Sequence, residues 1–136
     1  MSQKPTVPNQ ESFVVSVVGD TTGELSTGKF TAKKRLSFND QLRRDNFRRQ
    51  MLGPAVGEPT ARAASMSTIF AELMVRLIEA PTWWVDADEG RNLEDENVIV
   101  DVYEKALKVE NDAREEIAKK TAAARGELVT AVAETK

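Results

Sequence analysis

Phe13-Val14-Val15-Ser16-Val17-Val18-Gly19-Asp20, followed after a turn-rich connector by Lys29-Phe30-Thr31-Ala32-Lys33-Lys34-Arg35-Leu36, decides the fold class, because every later segment has helical periodicity. The first run is rich in β-branched residues and stops at a Gly-Asp pair. The second places Phe30, Ala32 and Leu36 in rough alternation, so both read as strands. Thr21, Thr22, Gly23, Glu24, Ser26, Thr27 and Gly28 lie between them, a connector longer than a tight turn. A hairpin over 13–36 with an open tip is expected. Two strands alone are not stable in water, so helices or another chain must cover their apolar face.

Working outward, Ser37-Phe38-Asn39-Asp40 has the form of a capping box with Asp40 in the acidic position, and Gly53-Pro54 supplies stop signals. These predict a helix over 38–52 with a narrow stripe of Phe38, Leu42, Phe47, Met51 and Leu52, flanked by Arg43, Arg44, Arg48 and Arg49. Thr60 caps a second helix over 62–79. Its apolar residues Met66, Ile69, Phe70, Leu73, Leu77 and Ile78 recur at spacings of three and four, which makes it the expected central core helix. Pro81 interrupts the pattern, and Trp83-Trp84 leads into an acidic stretch from Asp86 to Glu96. A third helix over 96–117 carries Val98, Ile99, Val102, Tyr103, Ala106 and Val109 on one side. Beyond it the apolar content thins, and Gly126 costs a helix interior about 1 kcal/mol relative to Ala, so 118–136 reads as a helical or frayed tail. Residues 1–11 read as a flexible lead-in. The expected architecture is α+β and mostly helical: an N-terminal β-hairpin followed by three helices, the last one long, in a single domain over 12–117.

Composition narrows the function. The 136 residues include no His and no Cys. Disulfides, thiolate or imidazole metal sites, cysteine nucleophiles and Ser-His-Asp triads are therefore excluded, which disfavours an enzyme. No window has the apolar length of a membrane span, and the first ten residues lack a signal-peptide pattern, so neither membrane nor export is expected. The net charge is -3. Basic residues prevail up to Thr60 and acidic ones after it, an asymmetry that suits either a partner surface or mutual attraction of the two halves.

Three motifs come close to a ligand site and fall short. Gly23-Glu24-Leu25-Ser26-Thr27-Gly28-Lys29 nearly spells a phosphate loop, but Phe30 stands where Ser or Thr would hold magnesium, and a strand continues where a helix is needed. Asp86, Asp88 and Gly90 resemble the start of a calcium loop, yet the glycine is fifth rather than sixth and Asn97 occupies the twelfth position. Lys33, Lys34 and Arg35 with Arg43, Arg44, Arg48 and Arg49 face only Asp40 and Asp45 within 33–49. Such a basic segment can grip phosphates, but its Phe38 and Phe47 belong to the apolar stripe rather than interleaving for base stacking. The adjacent Trp83 and Trp84 suggest one core residue and one surface anchor for a partner.

The succession of short blocks carries a resemblance. Gly28-Lys29-Phe30-Thr31-Ala32-Lys33 leads to Leu36-Ser37, Gln41-Leu42-Arg43-Arg44-Asp45 and Arg48-Arg49-Gln50-Met51-Leu52-Gly53. Then come Phe70-Ala71-Glu72-Leu73, Glu79-Ala80-Pro81-Thr82-Trp83-Trp84, Leu93-Glu94-Asp95-Glu96-Asn97-Val98 and Val102-Tyr103. Over roughly Phe13 to Arg114 the chain resembles the tail assembly chaperones of long-tailed bacteriophages. The resemblance implies a non-enzymatic protein without cofactor or metal. It would bind the tape measure protein and recruit major tail tube protein subunits in the host cell cytoplasm, and be absent from the mature virion. A longer form made by translational frameshifting often accompanies such proteins. Trp83, Trp84, Tyr103, Arg43, Arg44, Arg48 and Arg49 are the candidate partner-binding residues, and a homo-oligomer built from the basic helix and the acidic stretch fits the charge pattern. Two rival readings are a structural virion protein, as a connector or capsid-associated component, and a small nucleic-acid module using the basic helix 38–52.

Overall fold

A computed structural model describes residues 8–53 and 59–134, with 127–134 described as backbone. The fold is α+β: a three-stranded antiparallel sheet at the N-terminus, then helices, the last of them long. Strand β1 (Gln10–Val18) pairs with β2 (Leu25–Lys33) in unbroken register from Gln10↔Lys33 to Val18↔Leu25. The hairpin is shifted from the expected 13–36: β1 adds Gln10 to Ser12, and β2 adds Leu25 to Gly28 but stops at Lys33. Hydroxyl pairs stitch its outer face, Ser12 with Thr31 at 2.9 Å and Ser16 with Thr27 at 3.2 Å. The inner face takes Phe13, Val15 and Val17, and Val15 and Phe30 are completely buried. Residues 8–11 of the expected lead-in are tied down. Gln10 and Glu11 are in β1, and the Asn9 side chain both donates to the Arg35 carbonyl and accepts from the Arg35 N–H. Residues 1–7 of that lead-in, and 54–58 of the linker after the first helix, lie outside the described residues.

Helix α1 (Phe38–Leu52) begins with the expected capping box: Ser37 Oγ accepts from the Asp40 N–H, and Asp40 Oδ2 accepts from the Ser37 N–H. Its expected apolar stripe turns inward only at the C-terminal end, where Met51 packs against the core and Phe47 and Leu52 are half-buried. Phe38 is 72% exposed and Leu42 46%, whereas Asp40 is buried and receives Lys33 Nζ at 2.9 Å. Burial pushes the Asp40 carboxyl up, but hydrogen bonds from Lys33 and Ser37 outweigh it and hold the group below the usual carboxylate value.

Helix α2 (Ala61–Arg76) buries Phe70, Leu73 and Val75 and ends three residues before the expected limit of 79. Leu77–Glu79 form a third strand, β3, on the free side of β2, paired at Thr31 and Ala32. Leu77 and Ile78 fit helical spacing as well as they fit a strand. Pro81 decides between them, since it lacks an N–H and its ring would meet the Leu77 carbonyl if the helix continued. After Pro81 a short helix, α3 (Thr82–Asp86), carries the two tryptophans.

Helix α4 (Glu96–Glu134) has 39 residues, or about 58 Å at 1.5 Å per residue. Val98, Ile99, Val102, Ala106, Val109 and Ala113 are buried, a stripe at spacings of one helical turn. It also closes the open edge of β1, where an unpaired strand would invite aggregation. Lys105 Nζ donates to the Val14 carbonyl at 3.2 Å, and Asn97 Nδ2 to that of Val18 at 2.9 Å. Every residue from Arg114 to Gly126 is exposed. The expected tail is therefore helix as far as Glu134, and about 31 Å of α4 extends past Ala113, the last buried side chain among the described residues.

Candidate interaction surfaces

The tryptophan pair sits where α3 meets β2. Trp84 is 1% exposed and stands edge-on to Phe30, with ring centroids 5.6 Å apart. Gly90 lies beneath its ring: a Cβ there would come within 2.5 Å of Trp84 Cη2, and φ is +85°. Trp84 is thus a core residue, too buried to meet a partner as the candidate set requires. Trp83 is half-buried, edge-on to both Phe30 and Trp84, and its Nε1–H donates to the Thr27 carbonyl at 3.0 Å. Its ring lines a cleft of about 610 Å³ with Leu25 and Leu93. Both indoles therefore converge on one phenylalanine, because Gly28 in β2 leaves room for the Pro81 ring, which a Cβ would approach to 2.2 Å. That role in strand packing accounts for the second glycine of the near phosphate-loop pattern.

Tyr103 packs half-buried against the core. Burial first, and the Glu72 carboxylate second, push its phenol above the usual 10.0, with Arg76 opposing.

The four arginines of α1 do not form one open surface. Arg44 reaches Glu72 on α2 at 3.2 Å, and Arg48 Nε donates to Thr68 Oγ1 at 3.1 Å, so these two fasten α1 to α2. Arg43 lies over the Phe47 ring at 5.9 Å and 3.5 Å from Asp40, and Arg49 donates to Asn46. Among the described residues none pairs with the acidic stretch.

Two polar constellations fall outside the candidate set. At one end of the molecule Asp95, just ahead of α4, receives the hairpin turn: its Oδ1 accepts from the N–H groups of Thr21 and Thr22 at 2.9 and 2.8 Å, and its Oδ2 from the Thr22 hydroxyl at 2.6 Å. The Thr22 hydroxyl and N–H, joined by the Thr21 N–H, outweigh burial and keep this carboxyl below its ordinary value. Neighbouring carboxylates in a helix-start pattern are all that the sequence displays there, and nothing in it singles out Asp95. At the other end Arg76 is 5% exposed and held by two carboxylates, Glu72 at 2.7 Å and Glu110. Glu110 also holds Arg114 at 2.7 Å. Arg76 falls in the last turn of α2, where a surface residue beside the helix C-terminus is the simpler expectation.

Arg44, Arg76, Arg114, Lys34 and Arg35 line a cleft of about 580 Å³ between the end of β2, α1 and α4, with Glu110 as the lining carboxylate. Among the described residues no three carboxylates are grouped as a metal site requires, and no helix is long and apolar enough to cross a membrane. Comparisons with family models, with curated proteins and with solved structures find no match.

Proposed function

We propose that this protein is a non-enzymatic binding protein, a tail assembly chaperone whose client is the tape measure protein of a long-tailed phage. It would act in the host cytoplasm, bring tail tube subunits to the client and leave the finished particle. One observation supports the binding class: about 31 Å of α4 continues past Ala113, the last buried side chain among the described residues. A helical segment whose side chains are exposed from Lys119 to Gly126 is stabilised little by its own propensity and gains stability when a partner covers it. Ile117, 47% exposed, continues the core stripe of α4 by one turn beyond Ala113, so a helical client can extend the packing that the sheet and α2 begin. The identity of the client rests on the resemblance of the sequence blocks alone.

The nucleic-acid reading loses support from the geometry, since Arg44 and Arg48 are committed to α2 and only Arg43 and Arg49 remain exposed on α1. Co-expression with a tape measure protein of a long-tailed phage that encodes this chain tests the proposal. The soluble yield of the client should rise and the two proteins should co-purify. A client that stays insoluble, or that purifies without this chain, refutes it.

A further inference from the structure

Strand β2 is paired along its whole length on one side and only near its C-terminal end on the other. Toward β1 the unbroken register is bracketed by two bonded pairs. The Gly19 N–H donates to the Glu24 carbonyl at 2.8 Å beside the turn, and the Lys34 N–H donates to that of Asn9 at 3.1 Å at the opposite end. Bonded and unbonded pairs alternate in an antiparallel ladder, so the even-numbered residues of β2 bond to β1 and the odd-numbered ones turn their N–H and C=O groups away from it. Side-chain contacts agree with this phase. Val18 and Val14, opposite Leu25 and Lys29, direct their carbonyls to α4, and Thr27 directs its own to Trp83 Nε1.

On the outward side β3 pairs only with Thr31 and Ala32, and Pro81, which has no N–H, prevents its continuation. The stretch from Leu25 to Thr27 is therefore an open strand edge. Among the described residues the N–H and C=O of Leu25 and the N–H of Thr27 have no hydrogen-bond partner, and both side chains are exposed. This edge forms one wall of the cleft of about 610 Å³ beside Trp83. Trp83 and Leu93 supply apolar surface there next to Leu25, which is 64% exposed. The charged residues of the lining are Glu24, Glu94 and Asp95, all acidic. Asp95 is taken up by the hairpin turn, whereas Glu24 and Glu94 are exposed and form no ion pair among the described residues.

The geometry points to strand addition at this edge by a basic, extended polypeptide segment of a partner. The segment bonds to the free main-chain groups of Leu25 and Thr27, sets an apolar side chain against Trp83 and Leu93, and brings a lysine or arginine to Glu24 and Glu94. In this mode main-chain bonds supply affinity and side-chain pockets select the sequence. An acidic lining without a cation of its own favours a basic segment over an acidic one, and the Trp83 ring adds a face that attracts ammonium and guanidinium groups. The site lies on the sheet and not on the protruding end of α4, so the inference is independent of the client proposed above.

Fluorescence anisotropy of a labelled short peptide of alternating valine and lysine, titrated with the full chain, tests it. Binding should be saturable, and the same peptide with glutamate in place of lysine should not bind. A version methylated at every backbone nitrogen keeps its charge but cannot pair as a strand, and should bind at least about tenfold more weakly. The double variant Glu24→Lys with Glu94→Lys, shown to be folded by circular dichroism, should also lose at least about tenfold in affinity. Hydrogen exchange places the site, since the Leu25 and Thr27 amides should slow on saturation. An absence of saturable binding overturns the inference. A methylated peptide that binds as well as its parent overturns it too, by reducing the interaction to charge alone, as does protection that leaves Leu25 and Thr27 unchanged. Slowing of those two amides by association of the chain with itself, without peptide, also overturns it and gives the edge to a second copy.

Discussion

Replacing Gly90 by Ala should be far more costly than the same change at Gly23, and the difference measures how tightly Trp84 is seated. Both glycines have positive φ, +85° and +72°. An added Cβ at Gly23 meets nothing within 4 Å, whereas at Gly90 it would approach three ring carbons of Trp84 at 2.5, 2.7 and 2.7 Å. The left-handed backbone costs about 1–2 kcal/mol at either position. Forcing a methyl against a buried indole adds about 1–3 kcal/mol at Gly90 only. Alanine also restricts the unfolded chain, by about 0.4–1 kcal/mol, but this is common to both variants and cancels in the comparison. The predicted difference is therefore about 1–3 kcal/mol, a large share of a typical stability of about 5–15 kcal/mol. Urea unfolding followed by the fluorescence of the two tryptophans reads it directly, as a midpoint lower by about 0.5–2 M for a typical slope. Equal midpoints for Gly90→Ala and Gly23→Ala would show that Trp84 does not rest on Gly90, and the account of the tryptophan pair would fail with it.

Further outcomes follow from the titrating groups and the protruding helix. The single tyrosine, Tyr103, should ionise above 10.0 in an ultraviolet titration of the folded protein, and stability should decline as pH rises through that folded value. A midpoint at or below 10.0 would contradict its half-buried position beside Glu72. For Asp95 and Asp40 the folded pKa lies below the unfolded value, so their contribution is complete above about pH 4 and disappears as pH falls through the folded value. Asp95→Asn should flatten the loss of stability between about pH 4 and pH 2. A profile as steep as that of the wild type would remove Asp95 from the hairpin anchor. Ending the chain at Ala118 should leave the thermal midpoint within about 2 °C of the intact protein, as expected where the described side chains removed, Lys119 to Gly126, are exposed. A larger drop would mean that the protruding helix supports the body after all.

The parts of this fold that were legible in the sequence are those with local causes. The Ser37–Asp40 box, the β-branched run at 13–18 and the stripe from Val98 to Ala113 each specify one structure through capping or period, without reference to distant residues. Leu77–Glu79 did not, because three residues satisfy both periods and the choice depends on the vacant side of β2 and on Pro81. The face of α1 was legible at Phe47, Met51 and Leu52 but not at Phe38 and Leu42, for a related reason. Its apolar content is low, so ion pairs from Asp40 and Arg44 and a hydrogen bond from Arg48 to Thr68 help orient it, and hydrophobic spacing carries no record of those partners. The site was less legible still. Trp84 and Trp83 were marked by adjacency, but their burial depends on Gly28 and Gly90, residues whose importance lies in the space they leave. Arg76 has Glu72 one turn back, but Glu110 lies 34 residues away and the groups that hold Asp95 lie 73 or more away, and no sequence window contains both ends of such a contact.

The claim that the protruding end of α4 is the binding element is tested most directly by isothermal titration of the tape measure protein's helical region into two proteins, the intact chain and a chain ending at Ala118. The account predicts saturable heat with the intact chain and a loss of at least about tenfold in affinity on truncation, the equivalent of about 1.4 kcal/mol. Identical isotherms for the two proteins would contradict it.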